Sequence, residues 1–374
     1  MSNNLTEINV VVLGRGVVGS VWLDGSAELR SRFKNVANVK IVAVANSTRY
    51  LLDKNGLGIE QLNQYAQLSK AADLHQLIGA LSDLELPNLV ILDLTASDIV
   101  ANRYLEFAER SWNVISANKI PLTKSTERHK LLINTFRANG CFWGINATVG
   151  AALPVQSSLS DLLQAGDKLQ SITGVFSGSL SYLLSYYDGE QSFTDLIKQA
   201  KEVGMTEPDP RDDLSGTDVQ RKLLILARIA GYSLNLEDIR VSPLLPQSLL
   251  DGDLNDFWNN AEAIDQFMAE KSAAAKKVGQ KLAYQAKATF NGNVAEGEVS
   301  LVSLPLDNAL TQLTPADNVF TLTTDFYLNN PLVIRGPGAG AIVTATAVNI
   351  DLNKYILQIA VAASGTGNPR TELY

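Results

Sequence analysis

The chain has 374 residues, 46% of them hydrophobic, with 31 basic and 39 acidic side chains and a formal charge of −8. That length accommodates two domains, and the blend of apolar and charged residues specifies a globular fold instead of disorder. The acidic balance argues against nucleic acid and anionic membrane surfaces as partners; the lone Cys141 excludes an internal disulfide and fits a reducing, cytoplasmic setting.

Strand and helix signals alternate through the first 150 residues. Asn9–Leu13 is a short, branched apolar run, as expected for a strand buried on both faces of a sheet. It leads into Gly14-Arg15-Gly16-Val17-Val18-Gly19 and a helical stretch to about Phe33. Val39–Ala45, Leu89–Leu94, Asn113–Ser116 and Phe142–Ile145 repeat the strand signal. After Pro154 the pattern changes to helices with a strand near Leu169–Phe176. Leu282–Phe290, Glu296–Leu304 and Val319–Leu328 then alternate like strands with one wet face. Leu332–Ile334, a glycine-rich Arg335–Gly340 and a last helix close the chain. The predicted class is α/β: a Rossmann-type doubly wound parallel sheet plus a second α+β domain for catalysis and dimerisation. The expected division is 1–150, completed by 335–374, and 151–334. Exposed strands of this kind pair between subunits, so a homodimer or a dimer of dimers is expected. The N-terminus lacks the basic flank and apolar core of a secretory leader. The weakly polar Ala341–Ala363 stretch holds Asn349, Asp351, Asn353 and Lys354, which argues against a membrane span.

Gly14, Gly16 and Gly19 satisfy G-x-G-x-x-G directly after a strand and at the opening of a helix. The first glycine permits the turn, the second lets backbone approach a pyrophosphate, and the third lets helix pack on strand. Arg15, Val17 and Val18 belong to the same candidate cofactor loop. The second strand runs into Asn46-Ser47-Thr48-Arg49, with no acid to repel a 2′-phosphate and Arg49 available to pair with one. NADP(H) is therefore expected over NAD(H). Thr95-Ala96-Ser97 and Ala117-Asn118-Lys119 fall at carboxyl ends of later strands, where ligands bind in open α/β sheets. Gly338, inside the second glycine-rich run, is a further candidate for close approach to the cofactor.

The run from Thr206 to Lys222 has eight charged residues among seventeen and feeds a strongly apolar helix. Its two prolines, Pro208 and Pro210, argue against helix there. Thr217 and Gln220 read as a capping box that starts the next helix at Asp218. At about 100° per residue, Asp218, Lys222, Ile225 and Ile229 share one stripe, with Arg221 and Arg228 turned to solvent. An acid and an amine at the rim of a core suit proton transfer, and a plain i,i+4 ion pair is the competing reading. Cys141 reads as a small buried hydrophobe in a strand. The only histidines, His75 and His129, form no zinc-type cluster with it.

In order along the chain, GRGVVG, VANS, DLTAS, ANK, ATVGAALP, FSGSLSY, EVGMTEPDPRDDLSG and RGPGAG resemble the homoserine dehydrogenase family. The likeness is greatest to the dehydrogenase half of fused aspartokinase–homoserine dehydrogenases, with neither a kinase portion nor a C-terminal regulatory domain in this sequence. The resemblance implies NAD(P)-dependent interconversion of L-aspartate 4-semialdehyde and L-homoserine in threonine and methionine biosynthesis. It implies Lys222 as proton donor and places Glu207 and Asp218 on the substrate's amino end or hydroxyl, with Asp218 the other catalytic candidate for moving the proton. It also implies Glu207 and Asp213 as substrate ligands, and Lys119 as a contact to both cofactor and substrate. A monovalent cation, usually sodium, is implied at Asn146, Val149, Ala151 and Leu153, with Asn146 standing where many members carry Glu. Without an appended regulatory domain, insensitivity to threonine is expected. Two other readings stand beside this one: an aldehyde-oxidising dehydrogenase using Cys141 as nucleophile, and a non-catalytic NADP(H)-binding regulator.

Overall fold

The computed structural model describes residues 5–71, 73–292 and 294–364, so the ends of the terminal segments read above lie outside the described residues. The chain divides into two compact units, residues 1–148 with 340–374, and residues 149–339.

The first unit is built on β1 (Thr6–Leu13), β2 (Ala37–Ala45), β3 (Arg49–Leu52), β4 (Lys70–Ala71), β5 (Leu89–Asp93), β6 (Asn113–Ser116) and β7 (Trp143–Gly144), in the order β4-β3-β2-β1-β5-β6-β7. β2, β1, β5, β6 and β7 pair in parallel. Val10, Val11, Val12, Val90, Leu92, Val114 and Ile115 are wholly buried, as parallel strands covered on both faces require. The short antiparallel β3 and β4 extend the edge and were not foreseen in the sequence; Arg49 begins β3 instead of lying in a loop. The strand order runs outward in both directions from β1 and β5. The loops leaving these two strands therefore part at the carboxyl edge, the place where open α/β sheets bind ligands.

The final helix, Ala341–Ser364, belongs to this unit. It buries Val348, Leu352 and Ile356, each contributing roughly 1.5–3 kcal/mol of gross apolar burial. Its polar residues serve docking: Asn349 Oδ1 accepts from Trp22 Nε1 at 2.8 Å, and the Tyr355 hydroxyl accepts from Asn113 Nδ2 at 2.8 Å. Among the described residues no helix is long and apolar enough to cross a membrane.

The second unit is a six-stranded mixed sheet of β8 (Leu169–Val175), β9 (Ile239–Val241), β10 (Gln280–Asn291), β11 (Val294–Pro305), β12 (Asp317–Thr324) and β13 (Leu332–Pro337), in the order β13-β12-β8-β10-β11-β9. Only the β9–β11 pairing is parallel. The helices Gly178–Tyr186, Thr217–Ile229 and Ala261–Lys277 pack against β10.

Five local expectations are corrected. The strand expected over Val319–Leu328 ends at Thr324, whose hydroxyl turns to Asp167 Oδ2 at 2.5 Å while Phe326 N bonds Asp167 Oδ1. Arg335–Pro337 is strand, not loop. Pro210 does not deny helix; it occupies the first position of the Pro210–Leu214 helix, capped by Asp209, where a missing N–H is no loss. The Thr217–Gln220 capping box is absent. The helix is Thr217–Ile229, preceded by Gly216 at φ 75°, and Gln220 Nε2 instead donates to Leu236 O and Ile239 O. Arg228 likewise is half-buried instead of fully turned to solvent, its guanidinium wrapping back onto Leu234 O at 2.7 and 3.0 Å.

Candidate active site

The chemistry of the second unit centres on Lys222. It is seven per cent exposed, on a helix whose next residues, Leu223–Ala227, are all buried. An ammonium cannot remain there without partners. Its Nζ lies 2.8 Å from Asp218 Oδ2 and donates to the Phe176 carbonyl at 2.7 Å. Asp218 keeps nearly half its side chain exposed. Lys222 is therefore anchored from the core side while its carboxylate partner reaches the surface. The inward stripe expected from the helix wheel is present at Lys222 and Ile225 and fades at Ile229.

Asp213 does not project as a free ligand. Its Oδ1 accepts from Ser179 Oγ at 2.6 Å and its Oδ2 from Glu207 N at 2.8 Å. It thus ties the Glu207 loop to the start of the Gly178–Tyr186 helix. Ser177 caps that helix through Leu180 N and bonds Ser179 Oγ at 2.9 Å. Burial pushes the Asp213 carboxyl above its usual range, the bonds from Ser179 and Glu207 pull it back, and Asp218 and Asp212 push it further up. Glu207 is exposed beside this tie. The Phe176 carbonyl, Ser177 and Ser179 were not singled out from the sequence as site groups. Their signal was a strand running straight into a serine-capped helix.

At the carboxyl edge of the first sheet, Gly14 adopts φ 100°, and a Cβ there would sit 2.7 Å from Leu94 O and 2.9 Å from Thr95 Cγ2. A Cβ at Gly19 would strike the Gly14 backbone. Gly16 meets no protein atom within 4 Å, so its reason for being glycine lies outside the protein's own packing and suits a bound pyrophosphate at the N-terminus of Val17–Phe33. Val17 is exposed and Val18 half-buried in the first turn. Arg15 stacks over the Tyr65 ring at 4.7 Å and donates to Leu62 O. Asn46 Oδ1 closes the turn by accepting from Thr48 N and Arg49 N. Arg49 is not a solvated loop cation: its guanidinium donates to Ser69 Oγ at 2.9 Å and Ser69 O at 2.6 Å.

Beneath the same edge lies the wholly buried Asp93. Thr95 N and Thr95 Oγ1 donate to its Oδ1, and Tyr104 OH and Asn118 Nδ2 to its Oδ2, at 2.6–3.0 Å. Burial raises this carboxyl, and the bonds from Thr95, Tyr104 and Asn118 oppose the rise. One carboxylate thereby fixes both loops expected to contact cofactor, since Ser97 N bonds Thr95 Oγ1 and Lys119 follows Asn118. Lys119 is half-buried at the start of Ile120–Thr123.

The residues implied for a cation do not form a carboxylate cluster. Asn146 donates its amide and backbone N–H to Asp351, Val149 and Ala151 are buried, Ala151 has φ 49°, and Leu153 N bonds Gly150 O. Among the described residues no group of three or more His, Cys, Asp or Glu converges as a metal site. Cys141 precedes β7 instead of lying within it, and burial raises its thiol, opposite to what a nucleophile needs.

Residues 154–352 match the family described as homoserine dehydrogenase, and residues 14–145 match the homoserine dehydrogenase NAD-binding domain. The chain belongs to the homoserine dehydrogenase family. The bifunctional aspartokinase/homoserine dehydrogenase 2 of Escherichia coli K12 is 39% identical over 351 residues, 93% of this chain. The chain spans 43% of that relative's length. A Candida auris protein of unknown function shares the fold with a TM-score of 0.85 and 31% identity, covering 94% of this chain and 99% of that one. A hyperthermophilic archaeal homoserine dehydrogenase in complex with NADPH has a TM-score of 0.71 at 19% identity, covering 94% and 98%. The chain thus carries the family's NAD-binding domain, and the family's two parts contain, in sequence, the two sets of residues described above.

Proposed function

We propose that this chain interconverts L-aspartate 4-semialdehyde and L-homoserine, in the cytoplasm, as a step of threonine and methionine biosynthesis. The observation that carries the reading is the buried Lys222 ammonium held between Asp218 and the Phe176 carbonyl. Reduction of an aldehyde needs a hydride on carbon and a proton on the developing alkoxide. The nicotinamide cofactor supplies the hydride when bound. Lys222 supplies the proton, and Asp218, which reaches the surface, recharges it. In the reverse direction neutral Lys222 takes the hydroxyl proton. Glu207 and Asp218 present acidic groups suited to a substrate ammonium. Asp213 acts by holding the Glu207 loop. In the first unit Lys119 and the Thr95–Ser97 loop, fixed by Asp93, serve the cofactor.

The cofactor reading is NADP(H) over NAD(H). The Arg15 guanidinium stacks over Tyr65, whose hydroxyl donates to the Arg49 backbone carbonyl, and the Arg15 and Arg49 guanidiniums are oriented by the Leu62 and Ser69 carbonyls without a carboxylate partner among the described residues. Such preset cations suit a 2′-phosphate. Self-association as a homodimer or dimer of dimers is supported by exposed Phe326, Leu328 and Val333 around the β12–β13 hairpin. No step is assigned to a monovalent cation. The test is oxidation of NADPH on addition of L-aspartate 4-semialdehyde. Turnover is expected with NADPH ahead of NADH, and absence of turnover with both contradicts the reading.

A further inference from the structure

We propose that Asn318 is a positioning residue for Lys222, acting through the Phe176 carbonyl, and that Gly338 is glycine to make room for it. This rests on the reading of Lys222 as the proton-transfer group. The Phe176 carbonyl accepts twice, from Lys222 Nζ at 2.7 Å and from Asn318 Nδ2 at 3.1 Å. Phe176 follows β8, and its ring stacks on Phe320 of β12 with centroids 4.5 Å apart. Asn318, also on β12, is wholly buried.

A buried asparagine is an expensive way to fill this space. Its Oδ1 is buried with no hydrogen-bond partner, a loss of about 1–3 kcal/mol for such a group. An apolar side chain would avoid that loss, so the amide is there for what its Nδ2 does. That one bond fixes the carbonyl on which the ammonium rests. Lys222 Nζ then has its two described anchors set independently, the carbonyl by Asn318 and the carboxylate by its own helix. Positioning of this kind is worth much in rate, since about 1 Å of misplacement can cost 10²-fold.

Gly338 supplies a second, independent observation. Its backbone is outside the left-handed region, so conformation does not demand glycine. A Cβ there would instead fall 2.5 Å from Asn318 Cγ and 2.6 Å from Asn318 Cβ. The glycine assigned from sequence to cofactor approach is therefore accounted for by the Asn318 side chain.

The experiment measures kcat for aldehyde reduction and NADPH Kd by nucleotide-fluorescence titration in Asn318→Ala, Lys222→Ala, Gly338→Ala and their pairwise combinations. Asn318→Ala is expected to lower kcat about 10-fold, inside the range that misplacement of ~1 Å allows, with NADPH Kd unchanged. On the Lys222→Ala background it should cause no further loss. Gly338→Ala should lower kcat at least as far as Asn318→Ala, because its Cβ would displace the Asn318 side chain. Wild-type kcat in Asn318→Ala overturns the proposal. So does a full Asn318 effect without Lys222, or wild-type kcat in Gly338→Ala. Asn318→Leu separates positioning from packing: it should keep or raise Tm while lowering kcat, whereas a structural asparagine would lose both. Retained kcat in Lys222→Ala alone would instead overturn the underlying reading of Lys222.

Discussion

Lys222 and Asp213 carry opposite lessons about charge at the edge of a core. Lys222 is buried and anchored, and on the proposed reading its removal takes away a group that acts in the transition state. Lys222→Ala should lower kcat by the 10²–10⁴-fold typical of a general acid, with NADPH binding intact. Loss of folding in that variant would favour a purely structural ion pair. Asp213 holds two donors, and burial raises its carboxyl. As pH falls through that raised value, a protonated oxygen can no longer accept, and the Glu207 loop loosens. KM for the aldehyde should therefore rise on an acid limb above the ordinary carboxylate range, and Asp213→Asn should abolish that limb. The stability sign is the reverse. An upward shift means that ionised Asp213 weakens folding above its folded value and that acid relieves this, so the KM limb should appear without a fall in Tm from this group. A limb at or below the ordinary aspartate value contradicts the assignment.

Among the elements, the parallel strands were legible because burial on both faces writes continuous branched apolar runs, and β6 falls where Asn113–Ser116 was read. The edge strands β3 and β4 were not, because Arg49–Leu52 and Lys70–Ala71 are too short to carry a period. The capping box at Thr217 failed for a different reason. Gly216 takes a left-handed conformation and Gln220 finds tertiary carbonyls, which local sequence cannot reveal. Thr217→Ala should consequently shift stability by less than the ~0.5–2 kcal/mol of a true N-cap, as read in urea unfolding. The glycine loop and the charge run were legible as candidate chemistry. Phe176 and Asn318 were invisible because one acts through its backbone and the other lies inside a strand among apolar residues. Asp93, read only as part of a strand, holds four donors. In Asp93→Ala the Tyr104 hydroxyl keeps Ser116 Oγ and Asn118 Nδ2 keeps Ser97 O, but the Thr95 groups lose their carboxylate and the two loops their shared tie, so Tm should fall and NADPH binding should weaken with it.

Across the whole molecule, the reaction as proposed asks each unit for a different thing: a nicotinamide cofactor held by the glycine loop and fixed strand-end loops, and a proton moved by a buried lysine. Arg15 and Arg49 bear on which cofactor. Replacing both with alanine should cut kcat/KM for NADPH while leaving that for NADH nearly unchanged, and equal losses with the two would remove the 2′-phosphate reading. The central claim is that Lys222 moves the proton between aldehyde and alcohol. It is tested most directly by following NADPH oxidation with L-aspartate 4-semialdehyde in the native protein and in Lys222→Ala, with NADPH Kd measured on both. Turnover in the native protein, reduced at least about 10²-fold in the variant at unchanged NADPH Kd, is the expected result. Equal turnover in the two proteins, or none in the native one, contradicts it.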